Sequence, residues 1–343
     1  MDRTASARDK AAMQESFTTL LTGGTGFLGC SVARALVARG HRVVVLARPE
    51  TPQKVLEGVP VAFAPGDLTD HRSLSQALQG CDAVVHCAAD YRIFVPDPAR
   101  MFAVNVAGTE ALMRAALRAG VRRVAHVSSV ATLKPRRDGV PATEADAARP
   151  EEAIGPYKRS KTEAERLVER MVLEEGLPAT IVNPSTPIGP RDRRPTPTGR
   201  IILEAMRGRM PAYVETGLNI VHVEDCAAGV VTALERGAIG ERHILGGQDV
   251  TLAALLGHIA ALKGRRAPFR LPRAPLYPMA WVAEQWGRLA GTEPMLTLDG
   301  LRMAETRMFF SAAKARDVLG FAARPWQQAV EDAMAWFEAE DMR

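Results

Sequence analysis

Short apolar runs alternate with longer segments of helical periodicity through the first half of this 343-residue chain. The runs at 61–64 and 82–86 do not alternate with polar residues, which is typical of strands buried on both faces of a parallel sheet. Between the runs, apolar residues recur every three or four positions, as in amphipathic helices. The pattern predicts an α/β fold with strands at 17–22, 42–47, 61–64, 82–86, 123–127 and 179–182, and helices at 100–119 and 155–175.

The pattern changes after residue 184, where helical periodicity dominates. Helices are predicted at 226–236, 251–262, 274–289, 311–319 and 326–339, and strands at 219–223 and 241–245. These segments predict a smaller, mostly helical substrate lobe (184–343) beside a first domain (17–183). Both late strands are expected to return to the first domain, so that the two lobes are interleaved. Residues 1–16 are polar and are expected to be a disordered lead-in.

A glycine-rich turn, residues 23–29 with the sequence GGTGFLG, joins the first predicted strand to a helix. Gly23 permits a tight turn, Gly26 lets backbone approach a pyrophosphate, and Gly29 lets the helix pack closely on the strand. The pyrophosphate is expected at the helix N-terminus, where free N–H groups and the helix dipole favour negative charge. Strand, glycine turn, helix and second strand together predict a doubly wound Rossmann domain that binds a dinucleotide.

The end of the second strand indicates which dinucleotide is bound. An acidic residue at this position would bind the ribose 2′-hydroxyl of NAD, but the strand ends Leu46-Ala47-Arg48-Pro49 and carries no carboxylate. The Arg48 guanidinium is suited to pairing with a 2′-phosphate, and a surface arginine in a loop is the alternative. The sequence therefore favours NADP(H), with NAD(H) as the second choice.

Polar and small residues follow other predicted strands, at the edge where the carboxyl ends of parallel strands reach a cofactor crevice. Asp67 suits the adenine amino group, and Ala88 and Ala89 are small enough to let a cofactor pass close. Each of these residues could instead cap a helix or lie in a turn. Asn105 lies inside a predicted helix and needs partners there, either near the site or in a neighbouring loop.

Tyr157 and Lys161 stand four residues apart at the start of a predicted helix, which places them on one face. A phenol keeps its proton to about pH 10, and a neighbouring cation is expected to lower that pKa. Such a pair can move a proton to or from a substrate oxygen, although the spacing is common on exposed helices. Ser128 and Ser129 follow the fifth strand, where a hydroxyl can hydrogen-bond the same oxygen.

Six motifs follow one another along the chain: the glycine turn, Gly-Asp-Leu at 66–68, Ala-Ala at 88–89, Asn-Val-x-Gly-Thr at 105–109, Ser-Ser at 128–129 and Tyr-x-x-x-Lys at 157–161. Their order and spacing, over residues 17–247, resemble the extended short-chain dehydrogenase/reductases. The resemblance implies a catalytic triad of Ser129, Tyr157 and Lys161, with Ser129 chosen because the second serine of the pair matches. It also implies that Lys161 binds the nicotinamide ribose and tunes Tyr157.

The motifs and the resemblance together nominate residues for two parts of the site. The candidate cofactor-binding residues are Gly23, Thr25, Gly26, Phe27, Leu28, Gly29, Arg48, Asp67, Leu68, Ala88, Ala89, Asn105, Val127, Tyr157, Lys161, Pro184 and Ser185. The candidates on the substrate side are Asp90, Tyr91, Ser129 and Thr186. No metal site is predicted.

Further segments resemble the hopanoid-associated sugar epimerases, bacterial proteins related to dihydroflavonol reductases; they lie at 89–92, 183–190, 195–200, 208–213 and 245–247. This resemblance implies hydride transfer at a secondary alcohol or ketone in hopanoid metabolism, with a tyrosine as general acid or base. The alternatives are a sugar or sugar-nucleotide epimerase that retains its cofactor, and a non-catalytic dinucleotide sensor. A 4,6-dehydratase is disfavoured, because Val130-Ala131 stands where those enzymes carry Asp-Glu.

Charge and composition indicate which classes of binding partner the protein has. The net charge is +5, and the basic clusters at 134–137, 191–194 and 263–266 are short and carry no interleaved aromatic residues, unlike a nucleic-acid-binding face. They fit solvated loops, a phosphate-bearing ligand or an anionic membrane surface. The four cysteines show no Cys-x-x-Cys pair, which argues against zinc and disulfides. No apolar run reaches the ~18 residues of a membrane span, so a cytoplasmic protein, with peripheral membrane contact left open, is expected.

The helix predicted at 274–289 has an apolar face formed by Leu276, Met279, Ala280, Val282, Ala283 and Trp286. This face is expected to pack on the main domain. The alternatives are a wall for an apolar substrate and a membrane-facing patch. The expected partner is a small-molecule substrate, including a lipid-linked one, and assembly into a homo-oligomer is left open.

Overall fold

The computed structural model describes residues 16–92, 95, 97–290, 292, 294 and 296–340. The predicted disordered lead-in, residues 1–16, lies outside the described residues except for Ser16. The Ser16 hydroxyl donates to the Gly40 carbonyl oxygen at 2.7 Å. In the part of the chain that is described, no helix is long and apolar enough to cross a membrane.

The strands are β1 (Thr18–Thr22), β2 (Arg42–Ala47), β3 (Ala62–Pro65), β4 (Ala83–His86), β5 (Arg123–Val127), β6 (Ala179–Pro184), β7 (Thr186–Ile188), β8 (Ala212–Val214), β9 (Gly217–His222), β10 (Arg242–Leu245), β11 (Gln248–Thr251) and β12 (Phe269–Leu271). The helices are α1 (Phe27–Ala38), α2 (His71–Ala77), α3 (Ala99–Phe102), α4 (Gly108–Arg118), α5 (Gly155–Glu175), α6 (Pro197–Met206), α7 (Val223–Arg236), α8 (Leu252–Leu262), α9 (Leu276–Ala290), α10 (Leu298–Met303), α11 (Ala313–Leu319) and α12 (Trp326–Ala339). Short 3-10 segments lie at Lys54–Leu56, Val130–Thr132 and Pro150–Glu152.

Seven parallel strands form the main sheet, in the order β10-β6-β5-β4-β1-β2-β3. The chain winds from β1 through β2 to β3 at one edge, and from β4 through β5 and β6 to β10 at the other. The winding direction reverses between β1 and β4, whose last residues, Thr22 and His86, pair in register. Ligands of open α/β sheets bind at such a switch point. The predicted doubly wound parallel sheet is confirmed.

Two hydrophobic layers cover the two faces of this sheet. Leu21 of β1 belongs to the layer that contains Leu36 of α1 and Val230 of α7. Its neighbour Leu20 points to the other layer, which contains Leu112 of α4. Since successive residues of a strand face opposite sides, both must be apolar. This is why the predicted strands are continuous apolar runs.

The C-terminal part of the chain forms a smaller lobe with a three-stranded sheet, β11-β9-β7, and a two-stranded pair, β12-β8. Helices α6, α8 and α12 pack together there, around Ile202, Leu256 and Phe337. The strand predicted at 241–245 does return to the main sheet, as β10 beside β6. The same prediction for 219–223 is wrong. Because β10 occupies the free edge of β6, β9 pairs with β7 and β11 instead.

Helix α7 begins earlier than the sequence predicts. Glu224 and Asp225, which precede the predicted start at residue 226, lie within its first turn, and the N-cap is His222. The Nδ1 atom of His222 accepts the Glu224 N–H at 3.1 Å. The Asp225 carboxylate accepts hydrogen bonds from Arg324. Its Oδ1 accepts from the guanidinium at 2.8 and 3.0 Å, and its Oδ2 accepts from the guanidinium at 3.1 Å and from the backbone N–H at 2.8 Å. These bonds tie the lobe to the main domain.

The glycine turn between β1 and α1 owes its shape to two close approaches. Gly23 has a φ of +71°, and a Cβ there would lie 2.6 Å from the backbone nitrogen of Ala88. A Cβ on Gly29 would lie 2.0 Å from the Gly23 carbonyl oxygen. The contact that requires glycine at position 29 is therefore with the turn itself, and not with the strand as the sequence suggested.

We expect Gly23→Ala to destabilise the fold more than Gly40→Ala. Gly40 is a matched control, because its φ is +82° and no atom lies within 4 Å of a Cβ built there. Both variants place alanine in left-handed backbone, at a cost of about 1–2 kcal/mol. Only Gly23→Ala adds a clash with backbone, which should lower the free energy of unfolding by about a further 1–3 kcal/mol. Urea unfolding measures the difference, and equal losses would contradict this account.

Candidate active site

The crevice at the switch point fits a dinucleotide pyrophosphate. Helix α1 starts at Phe27 with no side chain capping its N-terminus and no acidic residue in its first turn, so its first N–H groups suit an external anion. Gly26 is exposed. Among the described residues, a Cβ at Gly26 would meet only the Gly23 carbonyl oxygen, at 3.2 Å. The turn thus leaves space in front of the helix, flanked by the half-buried Thr25 and Leu28.

Arg48 and Asp67 lie together at the carboxyl ends of β2 and β3. The Nε atom of Arg48 is 3.4 Å from a Glu50 carboxylate oxygen and 3.9 Å from one of Asp67, and its side chain is 50% exposed. Burial acts to raise the pKa of Asp67, but hydrogen bonds from Thr69 and the charge of Arg48 outweigh it and lower the pKa. Among the described residues, the Arg48 guanidinium is held by two long ion pairs, with Glu50 and Asp67.

Asn105 lies in a π-helical turn, Ala103–Ala107, between α3 and α4. Its side chain is buried and accepts the Asp90 N–H at 2.7 Å, while its amide donates to the Asp90 carbonyl at 2.9 Å. It also donates to the Ser160 hydroxyl of α5 at 3.0 Å. The sequence predicted one continuous helix here. The structure shows that Asn105 ties the loop after β4 to the helix that carries Tyr157.

Ser129 and Tyr157 meet at the carboxyl end of β5. The Ser129 hydroxyl lies near enough to the Tyr157 phenol to act on its pKa, and Ser129 Oγ accepts the Ala131 N–H at 3.1 Å. The Ser128 hydroxyl is buried and has no hydrogen-bond partner among the described residues. The geometry therefore brings the second serine of the pair, rather than the first, to the tyrosine.

The pKa of Tyr157 is raised. Burial is the main cause, and the neighbouring Ser129 hydroxyl acts to lower the pKa. The expectation that Lys161 lowers this pKa is therefore wrong for the protein by itself. A raised pKa keeps the phenol protonated at neutral pH, and a protonated phenol can act as a proton donor.

Lys161 is 4% exposed, and its ammonium donates to the Val127 carbonyl oxygen at 3.0 Å. Burial lowers its pKa to about 8, and the nearby Glu165 carboxylate partly offsets that effect. The ammonium is therefore still largely protonated at neutral pH. It lies at the end of β5, one helical turn from Tyr157, where a nicotinamide ribose would be bound in the predicted arrangement.

A buried carboxylate supports this end of the site. Glu165 is fully buried and accepts hydrogen bonds from the Thr132 hydroxyl at 2.8 Å, the Asn183 amide at 2.7 Å and the Arg166 guanidinium at 2.6 Å. The Asn183 amide also donates to the Ser129 carbonyl oxygen at 3.0 Å. Glu165 thus connects the charge of Lys161 to the backbone that positions Ser129.

Two buried histidines lie near Lys161. His86 and His126 pair across β4 and β5, with ring centroids 5.4 Å apart. Burial and the Lys161 charge lower the pKa of His86 to about 3 and hold the pKa of His126 well below its ordinary value. Both rings are neutral at physiological pH, so they add no positive charge to compete with Lys161.

The other predicted residues take different positions. The Asp90 carboxylate pairs with the Arg92 guanidinium at 2.5 Å, so it is already engaged on the substrate side, where Tyr91 is 40% exposed. Pro184 ends β6, and the buried Thr186 begins β7.

The remaining candidates for cofactor binding lie at other positions. The Cβ atom of Leu68 lies beside the first residue of α4, 2.9 Å from a Cβ built on Gly108. Ser185 has a buried hydroxyl with no hydrogen-bond partner among the described residues, and Ala89 is half-buried.

Sequence reasoning missed Glu165, Asn183 and the two histidines. Glu165 carried a usable signal, because it follows Lys161 by four residues and Tyr157 by eight, on one helix face. A carboxylate on the buried face of a helix requires partners. Asn183, His86 and His126 each stand in an apolar strand, where the sequence alone does not show which face they point to.

The comparisons with known proteins agree with this geometry. The model of the NAD dependent epimerase/dehydratase family matches residues 19–246. A dihydroflavonol 4-reductase-like protein from Synechocystis sp. is 39% identical over 95% of this chain and 96% of its own length. Sterol demethylase protein B from Methylococcus capsulatus is 35% identical over 95% and 99%. A 4-hydroxy-2-methyl-3-oxo-4-farnesyl-3,4-dihydroquinoline-1-oxide ketoreductase from Stigmatella aurantiaca is 30% identical over 92% and 95%.

Solved structures share the whole fold. The protein gox2253 has 49% sequence identity and a TM-score of 0.86, over 95% of this chain and 99% of its own. A nucleoside-diphosphate-sugar epimerase from Pseudomonas aeruginosa has 28% identity and a TM-score of 0.78, over 94% and 98%. This chain belongs to the NAD dependent epimerase/dehydratase family, within the extended short-chain dehydrogenase/reductases. It is an NAD(P)-dependent oxidoreductase or epimerase.

We expect Glu165→Gln to shift the titration of Lys161. The Glu165 charge raises the pKa of Lys161 against the effect of burial, so removing that charge should lower the pKa from about 8 by up to about one unit. The pH above which NADPH binding weakens should fall by the same amount, as measured by calorimetric titration over a pH series. Loss of buried hydrogen bonds should also lower the free energy of unfolding by about 1–3 kcal/mol.

Glu163→Gln is the matched control, with the same substitution two residues earlier on α5. Glu163 pairs with Arg159 at 3.0 Å in a partly exposed ion pair, which contributes at most about 1 kcal/mol. The Glu163→Gln variant should leave the pH dependence of NADPH binding unchanged. If Glu165→Gln also left it unchanged, the proposed electrostatic link to Lys161 would be wrong.

Proposed function

We propose that this protein is an NADP(H)-dependent reductase or dehydrogenase, acting at a secondary alcohol or ketone of an apolar, ring-containing substrate in hopanoid metabolism. The observation that carries the proposal is the placement of the Ser129 hydroxyl near the Tyr157 phenol, with the buried Lys161 one helical turn away. The proposed enzyme releases its dinucleotide after each turnover and does not retain it.

The chemistry assigned to each residue follows from its environment. A bound nicotinamide dinucleotide supplies the hydride in the reducing direction. Tyr157, protonated because its pKa is raised, donates its proton to the substrate oxygen and later regains one from solvent. The Ser129 hydroxyl hydrogen-bonds the same oxygen. The Lys161 ammonium binds the ribose hydroxyls of the dinucleotide.

The preference for NADP(H) rests on Arg48. The guanidinium follows β2 at the position where an acidic residue would bind the 2′-hydroxyl of NAD, and it is half-exposed with only long ion pairs. An arginine with a free planar fork suits a phosphate. Glu50 and Asp67 lie near the Arg48 guanidinium, but neither directly follows β2, where the carboxylate that binds the 2′-hydroxyl of NAD would stand.

The substrate class rests on the relatives. Sterol demethylase protein B and the farnesyl-dihydroquinoline ketoreductase are named for apolar ring compounds, and each aligns with this chain over more than nine-tenths of its length. The segments that resemble the hopanoid-associated proteins point to a triterpenoid. Sugar or sugar-nucleotide epimerisation is the second candidate, favoured by the likeness to the Pseudomonas aeruginosa epimerase.

Arg48→Ala should remove most of the preference for NADPH. A charge-assisted bond to phosphate contributes roughly 1.5–3 kcal/mol, so the variant should bind NADPH about ten- to a hundredfold more weakly while binding NADH as before. Arg42→Ala, at the opposite end of β2 and also exposed, is the control and should change neither affinity. Calorimetric titration in which the parent protein binds NADH as tightly as NADPH would overturn the assignment.

The purified protein should consume NADPH in proportion to the ketone that it reduces. A suitable panel contains a dihydroflavonol, a 3-ketosteroid and a nucleoside-diphosphate sugar, with the absorbance of the reduced nicotinamide as readout. Tyr157→Phe should lower turnover by about 10²–10⁴-fold, because it deletes the general acid, and should leave NADPH affinity nearly unchanged. Lys161→Met should weaken both turnover and NADPH binding.

An epimerase gives the opposite result in the same assay. It would convert the sugar to an isomer without added dinucleotide and without net consumption, and it would purify with dinucleotide bound. That outcome would overturn the reductase proposal and leave the assignment of Tyr157 intact. Turnover of Tyr157→Phe within twofold of the parent would instead remove Tyr157 as the acid.

A further inference from the structure

Helix α9 presents an apolar face to solvent. Its outer face is formed by Met279, Trp281, Val282, Trp286 and Leu289, which are 60%, 56%, 59%, 70% and 84% exposed. The opposite side of the helix, including Leu276 and Ala280, is buried against Leu301 of α10. The expectation that the whole face packs on the main domain is therefore wrong. Only Leu276 and Ala280 of the predicted face are buried.

Basic residues outnumber acidic residues in the stretch of chain that contains this outer face. Residues 263–290 contain six lysines and arginines and one acidic residue, so this stretch alone matches the +5 net charge of the whole chain. The acidic residue, Glu284, is buried, and its carboxylate accepts the Leu298 N–H at 2.8 Å. Arg266, Arg270 and Arg288 are exposed. The stretch therefore offers solvent exposed cations and no exposed carboxylate.

Strand β12 brings further residues of the same kind beside α9. Leu271 packs against the Leu276 and Ala280 cluster, so the strand lies next to the helix. Phe269, in the same strand, is 61% exposed, and Arg270 follows it. Phe269 therefore adds one exposed apolar side chain beside α9, and Arg270 lines a small cavity there with Arg273, Glu215 and Glu305.

We propose that the outer face of α9, with the basic residues of 263–290, is a docking surface for an anionic lipid bilayer. Tryptophan is enriched at membrane–water interfaces, because its ring is apolar and its N–H is polar. An amphipathic helix with Trp and Leu on its apolar face and basic residues at its rim lies in the interface plane. Anionic headgroups supply the complementary charge.

A second copy of the chain is a poorer occupant. Two copies that joined through this face around a two-fold axis would bring the same patch against itself. Arg288 of one copy would then face a patch that carries the same charge, and the exposed Glu305 carboxylate beside α9 is already bonded to the Tyr277 hydroxyl at 2.6 Å. An anionic bilayer offers an apolar interior for the tryptophan and leucine side chains and negatively charged headgroups for the arginines.

The docking surface lies close to the catalytic helix. Helix α10 packs on α9, and its Asp299 carboxylate lies 2.9 Å from a Cβ built on Gly155, two residues before Tyr157. Docking through the outer face of α9 would therefore place α9 and α10 between the bilayer and the start of α5.

The test is co-sedimentation of the purified full chain with vesicles of phosphatidylcholine alone and of phosphatidylcholine mixed with phosphatidylglycerol. We expect binding to the mixed vesicles that weakens as salt is added, and much weaker binding to the neutral ones. The double variant Trp281→Ser and Trp286→Ser should lower the partition coefficient by at least about tenfold. The measurement requires no turnover, so it is independent of the reaction proposed above.

Matched control variants distinguish binding through this surface from non-specific hydrophobic binding to vesicles. Leu289→Ser on α9 should weaken binding, whereas Leu173→Ser on α5 should not, although both leucines are 84% exposed. Arg288→Gln should weaken binding to the anionic vesicles about fivefold, and Arg118→Gln, at the exposed end of α4, should leave it unchanged. Thermal unfolding and NADPH affinity should be the same in all variants.

Three results would overturn the proposal. The first is no binding of the parent to the anionic vesicles at low salt. The second is an equal loss of binding in the α9 variants and their controls. The third is self-association of the parent, seen by analytical ultracentrifugation, that the double tryptophan variant abolishes, because the face would then bind a second copy.

Discussion

The burial of one cation, the Lys161 ammonium, constrains the structure around it. Removing an ammonium from water is costly unless the charge is paired and hydrogen-bonded, and here the Val127 carbonyl and the Glu165 carboxylate offset part of that cost. Glu165 is itself buried and needs donors, which β6, α5 and the loop after β5 supply. The same donors fix the Ser129 backbone, so the charge and the hydroxyl are placed together.

Helix α5 is held from a second side by Asn105. The Asn105 amide joins the loop after β4 to Ser160, and the interruption of the helix at Ala103–Ala107 presents this side chain to both. Helix α5 is thus attached to the ends of β4 and β5 by two separate polar networks. Each network is buried, so its polar groups have no water as an alternative partner.

The sequence predicted the repetitive part of the fold well, because strands buried on both faces and helices with apolar stripes leave strong patterns. Tyr157, Lys161 and the glycine turn were nominated as site residues from spacing and residue type. The placement of β9 was not predicted, because it depends on which strand occupies the edge of β6. The raised pKa of Tyr157 was not predicted either, because it depends on burial. The exposed side of α9 was misjudged for a related reason. Its periodicity shows an apolar stripe but not what covers it.

The return of the chain to the main sheet at β10 has a consequence for building hybrids of this family. The lobe segments β7, α6, β8 and β9 lie between β6 and β10, which are neighbours in the sheet. The rest of the lobe follows β10. A substrate lobe cannot therefore be exchanged between relatives by one crossover. A functional chimera must replace two separate stretches and keep α7 and β10 with the parent sheet, because α7 contributes to its hydrophobic layer.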